Sequence, residues 1–195
     1  MKSLRRKKLS FFCNLLFIFV ATSTAMTAAL AAAAAMKVAV NKQGDHVSID
    51  VDFHVATSPQ QAWEVLTDYD HMSEFLASLQ SSHIIARHGA HWQIAQAGSA
   101  RRGPLAFKFD SVRDIELAPF DRITSRQISG SMKKFEAVTR LSADGDGTRI
   151  QYHADSVPDS FIPPIIGPAF IETESRHQFE EMRTEILRRS ALTSK

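Results

Sequence analysis

Cysteine is almost absent from this chain. Among its 195 residues the only cysteine is Cys13, which lies in an apolar N-terminal run. If the N-terminal segment is removed, the remaining protein has no cysteine at all. Disulfides, thiol catalysis and cysteine-ligated metal sites are then excluded.

Glycine is also scarce, and its arrangement is uninformative. The chain has 8 glycines and no glycine-rich phosphate-binding loop. No segment repeats another. We therefore expect no cofactor and a single domain after the N-terminal segment.

Acidic residues are missing from the first 35 positions, which have the features of an export signal. A basic start precedes the apolar residues 15–20, and a run of small residues reaches Ala35. This pattern predicts a secretory signal peptide over 1–35, with cleavage at 23–25 or within 31–35. Because the uncharged span is long, an uncleaved membrane anchor is the alternative. The expected location is periplasmic or secreted, or membrane-anchored if cleavage does not occur.

Without this leader the charge of the chain changes sign. The leader contains five basic residues and no acidic ones, so the remainder has 18 basic against 21 acidic residues, a net charge of −3. The apparent basic balance of the full chain disappears. No electrostatic argument for nucleic-acid binding remains.

The hydrophobic pattern predicts an order of elements. Residues 36–46 are a lead-in, and strict alternation from Val47 to Val55 predicts a strand. Ser58-Pro59 begins a helix, and a second short helix follows before residue 76. About six strands with hairpin-length links then predict an antiparallel meander. A long helix over 167–189 completes a domain of 47–190, before a tail of 191–195.

The last helix has a gap in its apolar stripe. Ile171, Phe179, Met182 and Ile186 share one face at helical spacing, and Ser175 lies in the middle of it. A small polar residue at this point predicts a space above the helix. The alternative is an ordinary core helix with one imperfection.

Three segments resemble a known family. Residues 62–76 are similar to the hallmark segment of the START-like superfamily, in its polyketide cyclase/dehydrase and coenzyme Q-binding branch, also called SRPBCC proteins. Residues 147–152 resemble that family's penultimate hairpin, and 185–189 resemble the close of its final helix. The similarity covers roughly 47–189. Ala77 departs from it, because the family often has proline there.

The resemblance implies an α+β helix-grip fold. In that fold a curved antiparallel sheet, here of about seven strands, wraps around a long C-terminal helix, with two short helices after the first strand and a hydrophobic cavity between sheet and helix. Together with the leader, the resemblance implies an exported, non-catalytic binder or carrier of a lipid, isoprenoid quinone or polyketide-like molecule. A cyclase or dehydratase that uses the same cavity and a protein-interaction module stay open, because one fold hosts many activities. Oligomeric state is not predicted.

Strand alternation and the helix stripe nominate residues for the cavity wall, and the aromatic residues Trp92, Tyr152 and Phe161 are further candidates for which ordinary core packing is the alternative. The candidates are Trp92, Phe107, Phe109, Arg113, Tyr152, Phe161, Ile171, Ser175, Phe179 and Met182. Arg113 is the one charged candidate. It is included because strand alternation places it on the same face as Phe107 and Phe109. It is either a polar anchor for a ligand headgroup, or a residue turned outward by a bulge or paired with an acid such as Glu172.

Other polar groups support chemistry less well. Residues 68–71 combine two aspartates with a histidine, but acid–base catalysis needs convergence on a substrate, and the resemblance implies a structural role. His83, His88 and His91 could suggest zinc, yet they are better explained as exposed hairpin residues. The apolar, proline-rich residues 156–168 are either a buried connector or a lid whose residues 161–166 contact a membrane transiently.

Overall fold

The computed structural model describes residues 35–102, 105–158 and 167–193, without the side chains of residues 102 and 105. Eight strands form one sheet: β1 Lys37–Gln43, β2 His46–Val55, β3 Leu79–His88, β4 His91–Arg102, β5 Leu105–Ala118, β6 Arg122–Gly130, β7 Met132–Asp144 and β8 Gly147–Pro158. The helices are α1 Pro59–Leu66, a 3-10 turn Tyr69–His71, α2 Met72–Phe75 and α3 Pro168–Thr193.

Every strand pairs antiparallel with its neighbour, in the order β1-β2-β8-β7-β6-β5-β4-β3. Strands β3 to β8 follow one another as a meander, and the first hairpin joins the sheet beside β8. This is the helix-grip fold that the sequence predicts. Among the described residues, no helix has the length and apolarity needed to span a membrane.

The sheet has eight strands, one more than the approximate count of seven that the sequence predicted. The supposed lead-in contains β1, an edge strand that pairs with β2 from Lys37–Asp52 to Gln43–His46. Its half-buried residues Val38 and Val40 alternate with exposed ones. So short an alternation at a sheet edge carries little signal, which is why the pattern alone missed it.

Helix α1 begins as predicted. The Ser58 hydroxyl accepts a hydrogen bond from the Gln61 N–H at 3.3 Å, and Pro59 occupies the first turn. The helix buries Ala62, Trp63, Val65 and Leu66.

Helix α3 lies across the sheet and runs four residues beyond its predicted end at 189. Met182 and Ile186 are buried in the core, and the ring of Phe179 lies 5.9 Å from that of Phe53 on β2. Near the start of α3, Arg176 donates a hydrogen bond to the Met36 carbonyl at 2.7 Å. The helix is therefore fixed against β2 and against the residue that precedes β1.

An ion-pair cluster fixes the other end of α3. Glu185, whose side chain is only 9% exposed, accepts hydrogen bonds from Arg188 and from Arg189 at 2.6 Å. Arg189 also pairs with Asp68 at 2.6 Å, which connects α3 to the segment after α1. The hydrogen bonds from Arg188 lower the pKa of Glu185 to about 2, against the opposing effect of burial and with further help from Arg189.

This cluster predicts a loss of stability in acid. Because the pKa of Glu185 is lowered in the folded state, its stabilisation is present above the ordinary value of 4.5 and is lost as pH falls towards about 2. We expect about 1–2 kcal/mol from this carboxylate after allowing for screening at the exposed arginines. Urea unfolding between pH 7 and pH 2.5 should show a smaller acid-dependent loss in Glu185→Gln than in the wild type. The control is Glu180→Gln, at an exposed position of the same helix, which should lose as much stability in acid as the wild type does. If Glu185→Gln and the wild type lose the same stability in acid, the assignment to Glu185 is contradicted.

Candidate ligand-binding cavity

A cavity of about 330 Å³ lies between the sheet and α3. Its apolar wall is built from α1, α2, α3 and the inward faces of several strands. Apolar and aromatic residues at this wall include Ile49, Leu66, Tyr69, Met72, Leu76, Leu79, Phe109, Ile123, Phe135, Tyr152, Phe179 and Met182. Its polar groups come mainly from the sheet: Gln96, Ser111, Arg113, Ser125, Gln127 and Thr139. The wall is therefore mainly apolar and carries a polar stripe on the sheet, and Ser175 and Gln178 add two polar side chains from α3.

Six of the ten candidate residues lie at this wall: Phe109, Arg113, Tyr152, Ser175, Phe179 and Met182. Ser175 faces the cavity as the gap in the helix stripe predicted. The ring of Tyr152 packs 4.9 Å from that of Phe179, so sheet and helix meet at one side of the space. That these residues bind a ligand stays a prediction.

Three other candidates do not line the cavity. Trp92 packs edge-on against Tyr69 at 6.4 Å, and its indole N–H donates to the Gly89 carbonyl at 3.1 Å. The ring of Phe107 lies 6.3 Å from that of Phe170, at the start of α3. Ile171 is half-buried one residue further along that helix. Phe161, with the rest of residues 161–166, lies outside the described residues.

Arg113 faces the cavity. Its strand keeps the alternation that the sequence predicts, because the bulge lies in the neighbouring strand: Val112 pairs with Ser129 and Arg113 with Gln127, so β6 carries the extra residue. Arg113 keeps some accessible surface because it borders the cavity, although it lies deep in the protein. The suggested pairing with Glu172 is wrong, because Glu172 pairs with Arg176 at 3.1 Å.

Neutral side chains hold the Arg113 guanidinium in place. It donates to the Gln96 side-chain oxygen and, at 3.5 Å, to the Ser125 hydroxyl. The Gln96 amide nitrogen donates in turn to the fully buried Ser82 hydroxyl at 2.8 Å. The ring of Phe135 lies 5.6 Å from the guanidinium carbon, within the range of a cation–π contact. This network runs from β3 through β4 and β5 to β6.

Two buried phenols stand near the same cation. Burial raises the pKa of Tyr69 and of Tyr152 to about 12 each, although the Arg113 charge acts in the opposite direction. Both hydroxyls are therefore protonated at neutral pH. They can donate hydrogen bonds to a ligand but cannot act as bases.

The sequence interpretation missed Gln96, Ser125 and Tyr69. The signal for the first two was the same alternation that placed Arg113: Gln96 shares a face with buried Ile94, and Ser125 shares one with buried Ile123. Tyr69 lies within residues 68–71, for which the resemblance implied only a structural role, and it lines the cavity.

A single glycine lets the walls approach closely. A side chain at Gly98 on β4 would collide with the Ser78 carbonyl and the ring of Phe109. Both of those residues line the cavity. Glycine at this position therefore allows the start of β3 to lie against Phe109.

The aspartates and histidine of residues 68–71 and the three hairpin histidines, which were considered for catalysis or zinc binding, lie away from the cavity. Asp68 contacts the exposed His71 at 2.6 Å, and Asp70 accepts a hydrogen bond from the Ile84 N–H at 2.8 Å. These contacts are structural. His83, His88 and His91 are all exposed. The part of the chain that the structure describes contains no group of three metal-ligating side chains.

The fold is shared with solved START-like proteins. The Zhui aromatase/cyclase from a Streptomyces species superposes with a TM-score of 0.63 at 15% identity, over 74% of this chain and 95% of that one. A STAR-related lipid transfer protein from Xanthomonas axonopodis gives 0.61 at 12%, over 77% and 98%. A START superfamily protein from Mycobacterium smegmatis gives 0.56 at 17%, over 77% and 99%. At these identities the likeness shows the fold.

The sequence itself shows the family. Residues 55–183 match the model of the family described as polyketide cyclase/dehydrase and lipid transport, and the chain belongs to that family. The resemblance seen in the sequence is thereby confirmed. No protein of curated function matches the chain.

Proposed function

We propose that this protein is an exported binder or carrier of a hydrophobic small molecule. The observation that supports this most strongly is the cavity of about 330 Å³ between sheet and α3, with its mainly apolar wall and its smaller set of polar groups. Burial of an apolar ligand there would supply most of the affinity, at roughly 25 cal/mol per Å². The few polar groups would orient the ligand. A lipid, an isoprenoid quinone or a polyketide-like compound would fit this division.

Export is part of the proposal and rests on the leader alone. The basic start, the apolar run and the small residues up to Ala35 are the features of a signal peptide. A periplasmic or secreted carrier follows if the leader is cleaved, and a membrane-anchored one if it is not. Transient membrane contact through residues 161–166 would then bring the cavity to a lipid source.

Native mass spectrometry tests the proposal directly. The protein would be purified from its own host's cell envelope, and its solvent extract analysed in parallel. We expect a stoichiometric lipid or quinone on the protein, and an N-terminus beyond the leader. A protein that stays free of ligand under gentle conditions would contradict the carrier function. A cytoplasmic fraction holding the full-length chain would contradict export.

A cyclase or dehydratase that uses the same cavity is the second candidate. Its support is the group formed by Arg113, Tyr69 and Tyr152, which could donate hydrogen bonds to the oxygens of a polyketide-like substrate. Because both phenols hold their protons at neutral pH, neither can abstract one. Enzymatic turnover that is lost in Arg113→Leu, with ligand binding retained, would favour this candidate over a carrier.

A further inference from the structure

Arg113 is a cation deep in the protein, and the described residues place no opposite charge beside it. Among the described residues no carboxylate lies within ion-pairing distance of its guanidinium, and its partners Gln96 and Ser125 are both neutral. The two tyrosines near it are neutral as well. A buried charge without a counter-charge costs free energy that the surrounding fold must supply.

The guanidinium also has donors left over. It carries five N–H groups, and the structure shows one hydrogen bond from Nη1 and one from Nη2. Its Nε atom is buried and has no hydrogen-bond partner. A buried polar atom that is left unpaired in a native protein calls for a partner the protein does not provide. Because Arg113 lines the cavity, that partner can be a ligand.

The other described residues of the cavity wall do not supply a charge that reaches Arg113. Asp110 is the one carboxylate among the described residues that line the cavity, and it is exposed. It accepts a hydrogen bond from the Ser131 hydroxyl at 2.9 Å, at the turn between β6 and β7. The polar stripe otherwise consists of amides and hydroxyls, which cannot neutralise a cation.

We infer that the ligand of this cavity is an organic acid, with an apolar body and one planar oxyanion that pairs with Arg113. This inference rests on the proposed binding function and specifies its ligand class. A carboxylate matches the planar fork of a guanidinium and can accept two of its N–H groups at once. One guanidinium balances one negative charge, so a singly charged acid would neutralise Arg113. The Tyr69 and Tyr152 hydroxyls lie near the same cation and can donate to the oxyanion.

Paired probes test the charge of the ligand. Decanoate and decan-1-ol have apolar chains of the same length and differ in the polar end. Comparing their affinities by isothermal titration calorimetry therefore measures the contribution of the oxyanion. We expect the wild type to bind decanoate at least about tenfold more tightly, since hydrogen bonds to charged groups exceed neutral ones by about that factor. Arg113→Met keeps an apolar side chain of similar length, so it should bind decan-1-ol as well as the wild type does and lose the preference for decanoate.

A matched variant controls for the loss of a positive charge. Arg126 lies on β6, 74% of its side chain is exposed, and it does not line the cavity. Arg126→Met should keep the full preference for decanoate. Circular dichroism of each variant checks that it is folded. If Arg113→Met does not fold, Arg113→Lys keeps the charge without the fork and should show a reduced preference.

The outcomes separate the inference from the proposed function. Equal binding of decanoate and decan-1-ol by the wild type would overturn the inference that the ligand is an acid. The proposed binding of hydrophobic molecules would still stand. A preference for decanoate that persists in Arg113→Met would place the oxyanion elsewhere and overturn the role of Arg113. If the wild type binds neither decanoate nor decan-1-ol, both the inference of an acidic ligand and the proposed binding function are overturned.

Discussion

Replacing Ser175 by phenylalanine should lower the affinity of the protein for hydrophobic ligands by about 100-fold while the fold survives. Ser175 lies on α3 and faces the cavity opposite the sheet. An aromatic ring at this position would occupy the space that an apolar ligand needs. Because the ring enters existing space, it should displace few core residues, and we expect the free energy of unfolding to change by less than about 1.5 kcal/mol. Calorimetric titration with decan-1-ol and urea unfolding measure the two effects.

The control for this substitution is Glu180→Phe. Residue 180 is exposed on the same helix, so the variant adds the same ring without entering the cavity. It should bind decan-1-ol like the wild type. Unchanged affinity in Ser175→Phe would show that the cavity between sheet and α3 is not the binding site. Reduced affinity in both variants would show a general effect of an added ring on α3.

The largest effect on stability is expected at Phe53. This residue is 2% exposed on β2, and its ring packs against Phe179 of α3. Phe53→Ala removes the contact and leaves a cavity in the core, so we expect a loss of about 3–5 kcal/mol in the free energy of unfolding. Since domains of this kind are stabilised by about 5–15 kcal/mol in total, the variant should unfold at a much lower urea concentration.

An exposed apolar residue provides the comparison. Ile128 is 52% exposed on β6, and Ile128→Ala should change the free energy of unfolding by less than about 0.5 kcal/mol. A loss below about 1 kcal/mol in Phe53→Ala would mean that α3 does not hold β2 as the structure describes. A large loss in both variants would indicate that the surface of β6 is covered in solution.

Much of the fold could be predicted because its signals are local. The uninterrupted alternation from Val47 to Val55 places buried side chains on one face of β2, and Ser58-Pro59 begins α1. The apolar stripe of the last helix and its gap at Ser175 are visible in the same way. The edge strand β1 was missed, because its stability depends on pairing with β2 more than on its own short pattern.

The cavity wall was predicted less completely. The alternation of β5 correctly placed Arg113 on the cavity side. It did not show that the bulge would lie in β6, where it leaves the alternation of β5 unchanged. Trp92 was nominated because it is a large aromatic side chain, and it packs against Tyr69 instead. Packing of this kind depends on the angle between a hairpin and the short helices beside it.

The sequence by itself determined the order of the elements, the inward face of most strands and the family, because helical and strand periodicities and the segment 62–76 are properties of neighbouring residues. Only the tertiary structure decided that a cavity stays open, because that depends on the curvature of the sheet and its distance from α3. The tertiary structure also decided that Arg113 has no carboxylate partner among the described residues. From the sequence, Glu172 was a possible ion-pair partner of Arg113, but on α3 it pairs with Arg176 instead.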